Sequence, residues 1–158
     1  MGGGILPVAI YKGKLYFLFS REWIKSKEGG KWSDFGGSKE GNESYKETAI
    51  REGCEESCGF LGSKKNIENL IDNNTIAEIT LNGYRTYLVL IKYDSRLPKR
   101  FRDKFNRTYK SKPWLVEERN GLFEKDMLRW YTYEELSKKY KSFRTWYKSI
   151  VKDILKTM

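Results

Sequence analysis

Gly37-Ser38-Lys39-Glu40-Gly41-Asn42-Glu43-Ser44-Tyr45-Lys46-Glu47-Thr48-Ala49-Ile50-Arg51-Glu52-Gly53-Cys54-Glu55-Glu56 is the stretch on which the reading of this chain turns. Good helix formers run from Glu43 to Cys58 and Gly59 is a natural stop, so one helix is predicted there. On that helix Glu52 and Glu56 stand four apart and Glu52 and Glu55 three apart, which crowds three carboxylates onto one face near the helix end. Alone, the arrangement is unfavourable. Each like-charge pair costs about 0.2–0.5 kcal/mol, and the C-terminal end of the helix dipole repels anions further. A hard divalent cation turns this cost into binding. Oxygen ligands from adjacent turns suit Mg²⁺ or Mn²⁺, with phosphate oxygens and water completing the shell. Arg51 is placed to pair with a carboxylate, Glu43 two turns earlier being the candidate, and so to fix the helix against the preceding loop. Gly36-Gly37 lets the backbone approach closely, so a main-chain carbonyl from this pair is expected in the ligand set. For carboxylates alone, a solvated acidic helix face is the ordinary alternative.

Composition narrows the chemistry. The chain has 158 residues, 31 Lys+Arg against 21 Asp+Glu, and a formal charge of +10. That length fits one domain spanning residues 1–158 with a real core. No histidine is present, which excludes Ser-His-Asp and Cys-His catalysis and His-ligated zinc. Proton transfer near neutral pH must then run through Glu, Asp, Lys, Tyr or metal-bound water. Cys54 and Cys58 are too few and too close for a disulfide framework and read as reduced, buried thiols. No apolar run reaches membrane-spanning length and no secretory signal is visible, so no membrane association and a cytoplasmic location are expected. The positive charge, mostly lysine, favours diffuse attraction of polyanions over base reading.

Around the acidic helix the chain alternates strand and helix patterns. Ile5–Tyr11 and Leu15–Phe19 flank Lys12-Gly13-Lys14 as a hairpin. Residues 25–31 read as a mobile loop, and residues 32–35 as a short extended piece broken by Gly36-Gly37. A short helix is expected over 67–71. Strands over 75–81 and 84–92 are joined by Asn82-Gly83. Residues 94–112 hold eight Lys/Arg, with Leu97, Phe101 and Phe105 every four residues, and predict a basic amphipathic helix. A last strand over 127–131 precedes a capping box at Thr132 and Glu135. Leu136, Tyr140, Phe143, Tyr147, Ile150, Val151 and Ile154 then predict one helical stripe. The sum is a mixed α/β protein with a sheet between helical layers.

The spacing of the acidic segment resembles the Nudix box: Gly, five residues, Glu, seven residues, Arg-Glu, then Glu-Glu after two more. Gly37, Glu43, Arg51, Glu52, Glu55 and Glu56 match it in register. Two positions depart from it. Gly53 stands where a hydrophobic residue is usual, and Cys58 where the family has Gly, with Gly59 one residue late. A helix one residue longer than usual is therefore expected. The resemblance implies an α/β/α sandwich with a mixed sheet. It also implies hydrolysis of a nucleoside diphosphate linked to a second group, with Mg²⁺ or Mn²⁺ held by Glu52, Glu55, Glu56 and Gly37, and Arg51 and Glu43 in support. One box glutamate, or a later one, accepts the proton. Glu117, Glu118 and Glu124 precede the last strand, where such a residue is often supplied, and Glu124 is the choice.

For the substrate, the basic segment with Arg100, Arg102 and Lys104, together with Trp23 and Trp32 as stacking aromatics, points to the 5′ end or cap of RNA. The layout is also similar to Nudix proteins of large DNA viruses, some of which remove mRNA caps. The alternative is a small free substrate: a dinucleoside polyphosphate, a nucleoside triphosphate or a diphosphoinositol polyphosphate. A non-catalytic binding module ranks last, because every box carboxylate is present.

Overall fold

Strand β1 (Gly2–Tyr11) is buried from Gly2 to Ala9 and organises the molecule. Its side chains alternate between two cores. Ile5 enters one, and Leu6 and Val8 enter the other. The computed structural model describes residues 1–118 and 121–158. Among them, β1 pairs antiparallel with β2 (Lys14–Glu22) over residues 8–11 and with β4 (Phe35–Ser38) over residues 2–5. Strand β2 thus leaves β1 beyond Phe17, pairs with β3 (Trp32–Ser33) and β7 (Lys125–Thr132), and lets β4 take its place. On its other edge β1 runs parallel to β6 (Tyr84–Leu90), which pairs antiparallel with β5 (Thr75–Leu81).

Helices cover both faces of this mixed sheet. Helix α1 (Tyr45–Glu56), α2 (Lys64–Asn74) and α3 (Leu97–Ser111) close over Ile5, Leu18, Phe35, Tyr87 and Val89. A short α4 (Trp114–Glu117) follows. Helices α5 (Tyr133–Lys138) and α6 (Lys148–Thr157) close over Leu6, Val8, Phe17 and Phe19. This is the expected α/β/α sandwich. Leu97, Phe101 and Phe105 are the buried residues of α3, as their spacing requires, and each contributes about 1.5–3 kcal/mol. No helix of the described residues is long and apolar enough to cross a membrane.

Four expectations change. Gly36-Gly37 does not end a strand but lies inside β4. Residues 25–31 are tied by backbone hydrogen bonds from Gly29, Gly30 and Lys31 to Ser26, Glu22 and Glu28. Helix α1 is not longer than usual: it stops at Glu56, and Cys58 itself takes φ +50° before Gly59 at φ +78°. Finally, the C-terminal stripe is not one helix. Phe143 and Arg144 are extended, because Phe143 drops into the core and Arg144 donates its N–H to the Trp32 carbonyl at 2.9 Å.

Candidate active site

Helix α1 begins at a capping box. Ser44 Oγ accepts the Glu47 N–H at 3.1 Å and Glu47 Oε1 accepts the Ser44 N–H at 2.9 Å, a device worth about 1 kcal/mol. The helix then lies tightly on β1. A Cβ on Gly53 would stand 2.9 Å from Ile5 Cδ1, so any side chain there would have to displace the Ile5 methyl. This close seat turns Glu52 and Glu56 toward β4. A Cβ on Gly37 would lie 2.8 Å from the Glu52 carboxyl carbon, and Gly36 donates its N–H to Glu56 Oε1 at 2.9 Å. Glu55 faces the backbone at Gly121, where a Cβ would come within 3.0 Å of its Oε2.

The pleat of β4 decides which carbonyl can join them. In an antiparallel strand the N–H and C=O of one residue share an edge. Gly37 turns its carbonyl against Gly2 of β1. Gly36 turns its N–H to Glu56, so its carbonyl shares that edge. The Gly36 carbonyl, rather than the expected Gly37 carbonyl, is thus the one on the edge that faces Glu56.

Arg51 is about 10% exposed and saturates its donor fork. Nε donates to Glu43 Oε2 at 2.8 Å and Nη2 to Glu43 Oε1 at 3.0 Å. Nη2 also donates to the Ser38 carbonyl at 2.9 Å, and Nη1 donates to Glu52 Oε1 at 2.8 Å and Glu55 Oε2 at 3.4 Å. The guanidinium thus joins α1 to the end of β4, and its bonds hold the Glu43 carboxyl down at about 2.

Glu56 is 4% exposed. Burial, reinforced by the charges of Glu52, Glu22 and Glu124, pushes its carboxyl up to about 8, with Lys125 opposing. Glu52 is raised for the same reason, with Glu55 and Glu124 among the like charges that act on it. The charge of Glu124 thus acts on both Glu52 and Glu56. Lys125 is fully buried. Its Nζ lies 3.1 Å from Glu22 Oε1, 3.1 Å from Ser33 Oγ and 3.8 Å from Glu56 Oε1. Sequence reasoning missed Lys125 and Glu22. Lys125 directly follows Glu124, yet nothing in its neighbours in sequence marks it as buried.

The expected stacking residues are not available. Trp32 is 7% exposed and packs edge-on against Tyr131 at 5.6 Å, and Trp23 is 8% exposed in a cluster with Phe105, Val116 and Phe123. Both are core residues, a correction that follows from the packing of Tyr131, Phe143 and Tyr147 over Trp32 and of Phe105, Val116 and Phe123 over Trp23. The cations of α3 are engaged locally. Arg100 pairs with Asp94 at 2.7 Å, Arg102 donates to the Asp126 carbonyl at 2.9 Å, and Lys104 sits 5.7 Å from the Phe60 ring.

Among the described residues no three acidic or thiol side chains cage an ion as they stand. Arg51 draws Glu52 and Glu55 to itself, while Gly36 and Lys125 hold Glu56. The donor chemistry nevertheless fits a hard divalent cation: crowded carboxylate oxygens, a backbone carbonyl on the same edge, and mutual repulsion that a cation would relieve.

No family model matches the sequence, and no curated protein does. Solved structures do. The Nudix hydrolase RenU of M. smegmatis is 12% identical, with 99% of this chain covering 84% of that one at a TM-score of 0.51. A C. elegans Ap4A hydrolase, solved as a binary complex, is 13% identical, with 97% of this chain covering 93% of that one, also at 0.51. This chain has the Nudix fold. At such identity the likeness is one of fold.

Proposed function

We propose that this protein hydrolyses a phosphoric anhydride bond in a nucleoside diphosphate linked to a second group. In this reading Mg²⁺ or Mn²⁺ is held by Glu52, Glu55, Glu56 and the Gly36 carbonyl. The observation that carries it is the seating of Glu52 and Glu56 against the Gly36-Gly37 backbone, with Arg51 tying Glu52 and Glu55 to Glu43. When bound, the cation neutralises the diphosphate and acidifies a water. Arg51 keeps α1 and β4 in register, and Glu124 stands with the cluster as a proton acceptor. The unpaired cysteines fit a reducing, cytoplasmic setting.

A small free substrate is favoured over an RNA 5′ end. The two tryptophans that motivated RNA are in the core, and Arg100 is ion-paired while Arg102 is hydrogen-bonded. The C. elegans neighbour is an Ap4A hydrolase, and a dinucleoside polyphosphate is accordingly the first substrate to try.

The test is phosphate release with Mg²⁺ from a dinucleoside polyphosphate, a nucleoside diphosphate sugar and capped RNA. Glu55→Gln and Glu56→Gln should each lower kcat/KM by about a hundred-fold or more. Equal turnover by wild type and variants would defeat the hydrolase reading. Faster cleavage of capped RNA than of any free nucleotide would reinstate RNA.

A further inference from the structure

A cavity of about 280 Å³ lies across β4 from the acidic ridge. Gly36 and Gly37 form part of its wall, as do Asn82, Tyr84, Arg144 and Trp146. We propose that this cavity receives the nucleobase of the substrate, with the ring of Trp146 as its stacking surface. The proposal rests on the reading of the ridge as a diphosphate-hydrolysing site.

Position comes first. The two glycines face opposite ways. A Cβ on Gly37 would strike Glu52, whereas a Cβ on Gly36 would strike the Tyr84 hydroxyl on the cavity side. Only one backbone strand therefore separates cavity from carboxylates. Among the described residues β4 pairs with β1 alone. Glu56 covers its other edge at Gly36, but the strand surfaces toward its end, with Gly37 half-buried and Ser38 exposed, and there a substrate can pass with phosphates on one side and a base on the other.

Chemistry comes second. Trp146 is a large aromatic with 37% of its surface exposed. It is held edge-on by Tyr84 at 4.9 Å and Tyr147 at 5.4 Å, with the Arg144 guanidinium over its ring at 5.3 Å, so the ring is braced before a ligand arrives. A rigid aromatic wall of this kind suits base stacking. Arg144 looks like a phosphate clamp, but its charge is already balanced: Nη1 donates to Glu22 and Nε to Glu28, both at 3.2 Å. A polyanion such as an inositol polyphosphate needs several uncommitted cations, and this cavity does not offer them. A flat, uncharged ring needs an aromatic face and backbone polar groups, and the Asn82-Gly83 turn supplies the latter. The volume, at the low end for small-molecule sites, matches one base and not a whole dinucleotide.

The break in the C-terminal stripe is what builds this wall. Had residues 136–154 stayed one helix, Trp146 would not have been carried beside Tyr84.

The experiment measures binding of adenosine, guanosine, cytidine and uridine 5′-monophosphates without divalent metal, on wild type and on Glu55→Gln, with ribose 5-phosphate as the base-free control. At least one nucleotide should bind and shift the Trp146 indole N–H resonance, and ribose 5-phosphate should not. Trp146→Ala should raise Kd roughly ten-fold or more, and Trp146→Phe should stay within about three-fold of wild type. The proposal is overturned if no nucleotide binds up to millimolar concentration, if ribose 5-phosphate competes equally, or if bound nucleotide leaves the indole signal unmoved in a wild type whose fold is intact. A protein that hydrolyses its substrates regardless of Trp146 loses the base pocket and keeps the hydrolase. One that binds bases at Trp146 yet hydrolyses nothing keeps the pocket and loses the hydrolase.

Discussion

The backbone N–H of Gly36 and the carboxylate of Glu56, twenty residues apart in sequence, meet at 2.9 Å. This bond fastens the last turn of α1 to β4 and aims a buried glutamate at the edge where the Gly36 carbonyl lies. The two glycines of β4 serve different ends as a result, and their alanine variants separate the two effects.

A Cβ at position 36 would stand 2.7 Å from the Gly3 carbonyl and 2.7 Å from Gly4 Cα, both backbone atoms that cannot swing away. Gly36→Ala should therefore lower stability by about 2 kcal/mol or more, read by urea unfolding. A Cβ at position 37 meets only the Glu52 carboxyl, the far end of a flexible side chain. Gly37→Ala should fold with a loss of under about 1 kcal/mol but displace Glu52 and reduce hydrolysis at least ten-fold. A Gly37→Ala protein with unchanged kcat/KM would show that Glu52 does not act from where it sits.

Acid should weaken the α1–β4 junction in a defined window. Glu43 titrates at about 2 in the fold against an ordinary 4.5, because Arg51 bonds its carboxylate. A depressed carboxyl adds stability that is present above pH 4.5 and lost as pH falls toward 2. The stability gap between wild type and Glu43→Gln should accordingly shrink from pH 5 to pH 2 in denaturant titrations. Arg51→Lys, which cannot reproduce a five-donor fork, should cost about 2 kcal/mol or more at pH 7. A gap that stays constant with pH would mean the pair is not formed in solution.

Asp34 gives a pH dependence of opposite sign. It is 1% exposed and accepts the Tyr84 hydroxyl on both oxygens, at 2.8 and 2.9 Å, yet burial still pushes it up to about 6 from 3.8. A raised carboxyl lets the folded state hold a proton that the unfolded chain has released. Stability therefore falls as pH rises from about 4 to 6, and the cost is in full force above 6. Its size is about 3 kcal/mol at most. Asp34→Asn removes this titration, so its stability relative to wild type should improve by up to that amount between pH 4 and pH 7.5. A difference that is flat in pH would show that Asp34 is not held in a raised state.

What the sequence revealed of this molecule follows from range. Glu52, Glu55 and Glu56 share a helical face by arithmetic alone, and Thr132 with Glu135 forms the expected box. Leu97, Phe101 and Phe105 likewise bury the face their period marks. What escaped was decided by partners distant in sequence. Trp23 and Trp32 look like surface aromatics among charged neighbours until residues from β7, α3 and the 143–147 turn close over them. The choice of Gly36 over Gly37 depends on which edge of β4 meets β1. The break at Phe143 depends on Trp32, more than a hundred residues earlier.

Lys125 and Glu22 supply the last prediction. The lysine is fully buried between two carboxylates, 3.1 Å from Glu22 and 3.8 Å from Glu56, with Ser33 as a further partner. Removing the cation leaves Glu22 with Arg144 and leaves Glu56, already pushed up to about 8, without an opposing charge, so Lys125→Met should cost about 1–3 kcal/mol at pH 7. Adding Glu22→Gln removes the carboxylate that lost its lysine, and the double variant should be more stable than the sum of the two single losses predicts by about 1 kcal/mol or more. Because Arg144 also bonds Glu22, the Glu22→Gln single variant should itself be destabilised and should loosen the Arg144 side of the cavity. Strictly additive losses in this cycle, measured by denaturant unfolding at fixed pH, would show that Lys125 and Glu22 do not act on one another and that the buried chain from Glu56 to Arg144 is not continuous.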